Sequence, residues 1–231
     1  MQRSYELELL DSAEIPEKDL QRNLYELERI NTLLGGYTTT LKGIAQLLQK
    51  HESSKNLRIV DVGSGAGDTL RKIADWGRKN KLNLDLVGID LKKTCIEYAQ
   101  ERSKNYPEIR FIHSDYAQTQ PQADIITSAL FCHHLTDQEL IKFLIWSNQN
   151  ASLGFVINDL HRHPFAYYSI KYLTNWFSKS YLVKNDAPLS VKRSLVRKEW
   201  SNLLAQAPIK NYSIEWVWAF RWLVVARTAK F

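Results

Sequence analysis

Apolar residues recur at three- and four-residue spacing from about Pro16 to Leu34, placing Leu20, Leu24, Leu27, Ile30 and Leu34 along one side of a helix. Pro16 suits the first turn of that helix, and Gly35-Gly36 suits its end. A second helix is predicted from about Thr38 to His51. The pattern then changes, because Leu57 to Val62 is a short apolar run stopped by Gly63, as expected of a strand buried on both faces. Helix and strand alternate from there. A helix over Asp68–Asn80 precedes a strand over Leu84–Ile89, and a helix over Lys92–Lys104 precedes Ile109–His113. The strand Asp124–Ala129 then precedes the helix Asp137–Asn150 and the strand Leu153–Ile157. Such alternation implies right-handed crossovers and an α/β fold, a doubly wound, Rossmann-like, mostly parallel sheet covered on both faces.

The order changes after Asp159. Residues 164–184 are crowded with aromatics, a helix is expected over Arg197–Gln206, and the β-rich runs Tyr212–Trp218 and Trp222–Ala226 suit an antiparallel hairpin at the sheet edge. No internal repeat or linker interrupts the chain, so a single domain over 1–231 is expected. It would comprise an N-terminal helical cap (1–52), a core (53–160), a helical covering segment (161–196), and a last helix with its hairpin (197–231).

Composition narrows the setting. At 231 residues and 44% hydrophobic content the chain can bury a full core, yet no run is long and apolar enough for a membrane span and the start MQRSYELELL has no signal-like stretch. A soluble, cytoplasmic protein is expected. Cys95 and Cys132 are isolated, which argues against a disulfide framework or a cysteine zinc site. The net charge of +6 is uneven: residues 161–231 hold 12 Lys+Arg against 3 Asp+Glu.

The most informative string is Ile59-Val60-Asp61-Val62-Gly63-Ser64-Gly65-Ala66-Gly67-Asp68, a buried strand ending in an acid and three alternate glycines. Glycines let the backbone turn sharply and approach a ligand closely. The dinucleotide pattern G-x-G-x-x-G is not met, since Asp68 stands where its third glycine belongs. Asp61 would also repel a pyrophosphate and favour a ligand with a positive group.

Here the sequence resembles the class I S-adenosylmethionine-dependent methyltransferases, whose signature D/E-x-G-x-G-x-G is matched by Asp61, Gly63, Gly65 and Gly67. The resemblance implies S-adenosylmethionine as cofactor, S-adenosylhomocysteine as product, and 53–160 as the cofactor-binding core. It further implies that Asp90, closing the second strand beside Leu91, holds the ribose hydroxyls, and that Asp115, with Tyr116 beside it, lies at the adenine. Ser64 and Ala129 complete the expected cofactor contacts.

In an open α/β sheet the ligand lies beyond the carboxyl ends of the strands, so residues after the fourth and fifth strands should face the methyl group. Those places hold His133-His134 and His161-Arg162-His163. Methyl transfer needs an acceptor held in line and, where it carries a proton, a base to remove it. Histidine suits that task near neutral pH. His133 is the first candidate for the base or acceptor-orienting group and His161 the second. His134 is read as packed under the following helix at the acceptor side, with Arg162, Tyr168 and Tyr172 as further acceptor contacts. No metal is expected, because these histidines and Cys132 have no recognised ligand spacing.

The aromatic segment Pro164–Phe177 suits a flat or greasy small-molecule acceptor, with the N-terminal helices closing the other side. The string Asn185–Arg193, the Gly35-Gly36-Tyr37 turn and the run Asp159-Leu160-His161-Arg162 resemble small-molecule methyltransferases associated with type III polyketide synthases, the first string as a loop. That resemblance implies O-methylation of a phenolic lipid or related polyketide. Two other readings stay open. Lys171, Lys179, Lys184, Lys192, Arg193, Arg197 and Lys198 interleave with aromatics as in a nucleic-acid methyltransferase, although no Asn-Pro-Pro-aromatic string follows the fourth strand. The same basic face suits peripheral contact with an anionic membrane. The other reading is a non-catalytic protein that binds S-adenosylmethionine. Nothing in the pattern specifies an oligomeric state.

Overall fold

The computed structural model describes residues 1–11, 15–49 and 56–228. His51, the expected end of the second helix, lies outside the described residues. Two helices, α1 (Glu17–Leu33) and α2 (Gly36–Leu48), precede the sheet. The alternating part runs β1 (Leu57–Val62), α3 (Asp68–Lys79), β2 (Leu84–Asp90), α4 (Lys93–Arg102), β3 (Ile109–His113), β4 (Ala123–Ala129), α5 (Asp137–Asn150) and β5 (Ala151–Leu160). Then come α6 (Pro164–Phe177), α7 (Tyr181–Arg193), α8 (Arg197–Gln206), β6 (Tyr212–Val217) and β7 (Arg221–Arg227).

The strand order is β3-β2-β1-β4-β5-β7-β6. The first five strands pair in parallel, while β7 pairs antiparallel with both β5 and β6, so the expected hairpin is present and closes onto the parallel sheet. Chain order reverses between β1 and β4, which opens a crevice at their carboxyl ends. Both sheet faces are covered. Val60, Val87 and Ile126 pack with Leu140, Phe143 and Trp200 on one side; Ile59, Leu86 and Ile125 pack with Ile44, Leu70 and Ile73 on the other. Removing these side chains from water is what holds helices to sheet.

Local chemistry sets the helix ends near the crevice. Thr136 and Glu139 form a reciprocal cap on α5, with the Glu139 carboxylate accepting from the Thr136 N–H at 2.8 Å. Ahead of α6, His163 Nδ1 accepts from the Phe165 N–H at 3.2 Å, and Pro164 occupies the first turn.

One expectation is corrected. The string Asn185–Arg193, expected as a loop, lies inside the helix α7 with Pro188 in its interior. Pro188 is buried, and the packing of Leu182, Val183 and Val191 outweighs the proline's local preference.

Candidate active site

Beyond the carboxyl end of β1 the chain makes its glycine turn. Gly63 and Gly65 have φ of 71° and 48°, the left-handed region that costs other residues energy. A Cβ on Gly63 would meet the Phe131 ring at 2.6 Å, whereas one on Gly65 would meet nothing within 4 Å. Gly65 therefore turns a bare backbone face toward open space, and that space is a cleft of about 560 Å³.

The cleft collects the residues that the glycine signature pointed to. Gly63, Ser64, Gly65, Asp90, Leu91, Asp115, Tyr116 and Ala129 line it. Asp90 accepts from the N–H groups of Gly65 at 2.8 Å and Lys92 at 2.9 Å, while burial raises its pKa. Asp115 accepts from the Ala117 N–H at 2.9 Å and caps a single 3₁₀ turn, leaving its second oxygen for a ligand. Burial pushes the Tyr116 hydroxyl up to about 12, so its phenol stays protonated. Asp61 and Gly67 are set differently. Asp61 is buried under the cleft floor, accepts from the Thr127 hydroxyl at 2.9 Å, and is pushed up to about 8 by burial. Gly67 caps α3 beside Phe111.

Residues 59–147 match the family model described as a methyltransferase domain. The chain's fold is shared with solved methyltransferases. Human N-acetylserotonin methyltransferase in complex with S-adenosylmethionine aligns with a TM-score of 0.67 at 16% identity, over 98% of this chain and 63% of that one. A methyltransferase from Aquifex aeolicus aligns at 0.63 and 16%, over 94% of this chain and 100% of that one. The methyltransferase domain of the citrinin polyketide synthase aligns at 0.60 and 15%, over 79% of this chain and 49% of that one. The chain spans about half the length of that polyketide synthase domain. No curated protein matches its sequence.

A second cavity, of about 350 Å³ and mostly apolar, adjoins this cleft. The two share Leu10, Leu27, Asn31, Leu130 and His134 as lining residues. Leu130 holds φ of 56°, a strained value for a leucine, and its N–H donates to the Asn158 carbonyl at 2.9 Å. Helix α1 closes one side with Leu27 and Ile30, joined by Leu34 just past its end, and α6 and α7 close another with Phe165, Ile170 and Val191.

His133 is buried in the lining of this second cavity. The Asp159 carboxylate takes hydrogen bonds from both the His133 backbone N–H, at 2.9 Å, and its Nδ1, at 2.7 Å. The hydrogen therefore sits on Nδ1, leaving the lone pair on Nε2. Burial alone would raise Asp159, but the His133 imidazole and the N–H groups of Leu160 and His133 together hold it below the usual carboxylate range. On the other side of the ring, Glu8 Oε1 lies 3.6 Å from Nε2. Burial pushes Glu8 up to about 7, against the His134 charge and the Ser190 hydroxyl that donates to it at 2.7 Å.

Glu8 belongs to an N-terminal strap that the sequence did not single out. Asp186 accepts from the Leu9 and Leu10 N–H groups, each at 2.8 Å, and the Lys92 ammonium donates to the Leu10 carbonyl. Arg193 donates to the carbonyls of His133 and His134 at 3.1 and 2.9 Å, tying α7 to the same turn. His134 lines both cavities and pairs with Asp11 at 3.0 Å. A further unforeseen element is Arg221, buried in the wall of the second cavity, where it donates to Asn31 Oδ1 at 2.9 Å and Asn158 Oδ1 at 3.3 Å.

Four expected acceptor-side residues are placed elsewhere. His161 stacks among Trp222, His163 and Phe220 outside the cavity lining, and burial lowers its pKa. Its N–H donates to the Phe220 carbonyl at 2.8 Å, which fixes it over the β7 end. Arg162 is buried against Glu199 at 2.6 Å and the Ser194 carbonyl at 3.1 Å, anchoring α8. Tyr168 and Tyr172 project from α6 and are exposed.

Proposed function

We propose that the chain is an O-methyltransferase that modifies a hydroxyl of a small aromatic or lipidic acceptor, with His133 as general base. The observation that carries this reading is the shared wall between a glycine-turned cofactor cleft and an apolar cavity that contains an Asp-oriented histidine.

S-adenosylmethionine, bound in the cleft, supplies an electrophilic methyl carbon on a sulfonium. Gly63, Ser64 and Gly65 let the backbone approach it, Asp90 and Asp115 offer carboxylates, and Tyr116 offers an aromatic face. The fit rests on Gly65, whose bare backbone side opens into unfilled space. Asp61 lies under the same turn and supplies negative charge when ionised.

The apolar walls draw the acceptor out of water and hold it beside the shared partition, which contributes the proximity that an in-line transfer needs. His133 Nε2 takes the acceptor hydroxyl proton as the new bond forms. Asp159 keeps the ring in the required tautomer and stabilises the imidazolium, and Glu8 adds a carboxyl within 3.6 Å of the same nitrogen.

Calorimetric titration with S-adenosylmethionine and S-adenosylhomocysteine tests the first half, with Asp90→Ala expected to weaken both by about tenfold or more. An acceptor screen of phenols and long-chain quinols tests the second. Turnover of any phenol or quinol by His133→Ala at the wild-type rate would defeat the assignment of His133.

A further inference from the structure

Helix α6 carries its largest side chains toward solvent. Phe165, Tyr168, Tyr172 and Trp176 follow at three- and four-residue spacing and share one face, with exposures from 54% at Tyr168 to 83% at Trp176. Phe177 and Tyr181 continue the apolar surface round the corner into α7. At the other end of α6, Phe165 lies 5.8 Å from the Phe220 ring, beside the exposed Trp216 and Trp218 of the hairpin. A contiguous exposed surface of this kind marks a contact that the isolated chain does not make.

The exposed charges on this surface are lysines, and the Glu26 carboxylate that reaches the α6–α7 corner from α1 is engaged by the Ser178 hydroxyl and the N–H groups of Lys179 and Ser180. Lys171, Lys179 and Lys184 are exposed along α6 and α7, and no ion pair engages them among the described residues. The three acids of residues 161–231 are committed elsewhere: Asp186 to the strap N–H groups, Glu199 to Arg162, and Glu215 to Lys42. Tryptophan and tyrosine beside lysine is the side-chain set that settles at the headgroup level of a bilayer, with rings in the acyl boundary and ammonium groups on lipid phosphates. A second copy docked symmetrically here would set like charges against each other.

The same surface rims the acceptor cavity. Phe165, Leu173 and Trp218 are exposed and also line that cavity, so its apolar interior is continuous with the apolar face. We propose that the α6 face, with the α6–α7 corner and the tip of the hairpin, docks on an anionic lipid surface, so that a lipidic acceptor enters the cavity from the bilayer. The docking claim stands on the exposed face alone; the entry claim rests on the acceptor reading above.

Flotation of the full chain with phosphatidylcholine vesicles, with and without phosphatidylglycerol, tests it. Expected are capture by the anionic vesicles, weaker capture by phosphatidylcholine alone, and release at high salt. Trp176→Ala/Phe177→Ala and Lys171→Glu/Lys179→Glu/Lys184→Glu should each lower vesicle partitioning about tenfold or more. Calorimetry should show S-adenosylhomocysteine binding unchanged in both variants, which establishes that they fold. Failure of the wild type to float with anionic vesicles overturns the proposal, as does floating by both variants at the wild-type level. A dimer that Trp176→Ala/Phe177→Ala dissociates, with no flotation, overturns it in favour of a second copy. If vesicles capture a chain that binds no S-adenosylmethionine, the docking face stands and the methyltransfer reading falls.

Discussion

The Asp159 carboxylate grips His133 at two points, accepting from its backbone N–H at 2.9 Å and from its Nδ1 at 2.7 Å. A carboxylate can accept both; a carboxamide can accept only one, because its nitrogen would face a second N–H. Asp159→Asn should therefore disturb the ring's tautomer and position together, lowering kcat by about 10²–10⁴-fold, as should His133→Ala. Calorimetric affinity for S-adenosylhomocysteine should stay near wild type in both. Single-turnover rates are the measurement, and a kcat within threefold of wild type, about 0.6 kcal/mol, would remove His133 from the chemistry.

Glu8 titrates in an accessible window. Its folded pKa of about 7 lies above the ordinary 4.5 because burial penalises the charge. The unfolded chain therefore ionises first as pH rises, so Glu8's contribution to stability is complete below about 4.5 and is lost by the time pH passes 7. The loss is about 3 kcal/mol on the linkage relation. Thermal melting between pH 5 and 8 should show wild type losing stability, with Glu8→Gln losing less by that share. Equal slopes for the two proteins would contradict the burial of an ionisable Glu8.

Much of the fold was legible from local pattern, because a strand buried on both faces reads as a short apolar run and its helix as a 3.6-residue period. The residues gathered at the larger cleft were legible for the same reason: Asp61, Gly63, Gly65, Asp90 and Asp115 each sit at or just past a strand end, where the period changes. The acceptor side was not. Glu8 meets Ser190 across 182 positions, and neither carries a local signal of the meeting. Asp159 stood in plain view at the end of β5, but its partner His133 lies on a different strand's loop. The spacing of Phe165, Tyr168, Tyr172 and Trp176 defined a face of α6 without saying which way it points, so Tyr168 and Tyr172 were expected inward. His161 was expected at the methyl group, yet the hydrogen bond to Phe220 turns the chain along the hairpin at that point.

Gly65 separates cofactor binding from folding. Alanine there must hold φ near 48°, which costs about 1–2 kcal/mol, but its Cβ meets no protein atom. The methyl would stand in the space assigned to the cofactor. Gly65→Ala should therefore melt only a few degrees below wild type while its S-adenosylmethionine affinity falls about tenfold or more. Gly63→Ala supplies the contrast, since its Cβ would strike Phe131 at 2.6 Å and should cost more in folding. Wild-type affinity in folded Gly65→Ala would show that the cofactor lies elsewhere.

The strap can be loosened at Asp186, a residue in the wall of the second cavity that makes no hydrogen bond to His133 among the described residues. Asp186 is buried and accepts from the N–H groups of Leu9 and Leu10 and from Asn185 Nδ2, the last at 2.9 Å. Asp186→Asn keeps the shape but offers one accepting oxygen where two are used, leaving a strap N–H unpaired at a cost of about 1–3 kcal/mol. Leu10 lines both cavities and Glu8 faces His133, so a detached strap should open both sites at once. The expected result is faster protease cleavage within the first eleven residues, weaker S-adenosylmethionine binding and a lower kcat. Added S-adenosylhomocysteine should slow the cleavage, because a ligand that contacts the Leu10 side of the cleft favours the docked strap. Cleavage of Asp186→Asn at the wild-type rate would mean that the other ties hold the strap without it: Arg3 to the Arg193 and Leu135 carbonyls, Arg193 to the Glu6 carbonyl and Lys92 to the Leu10 carbonyl.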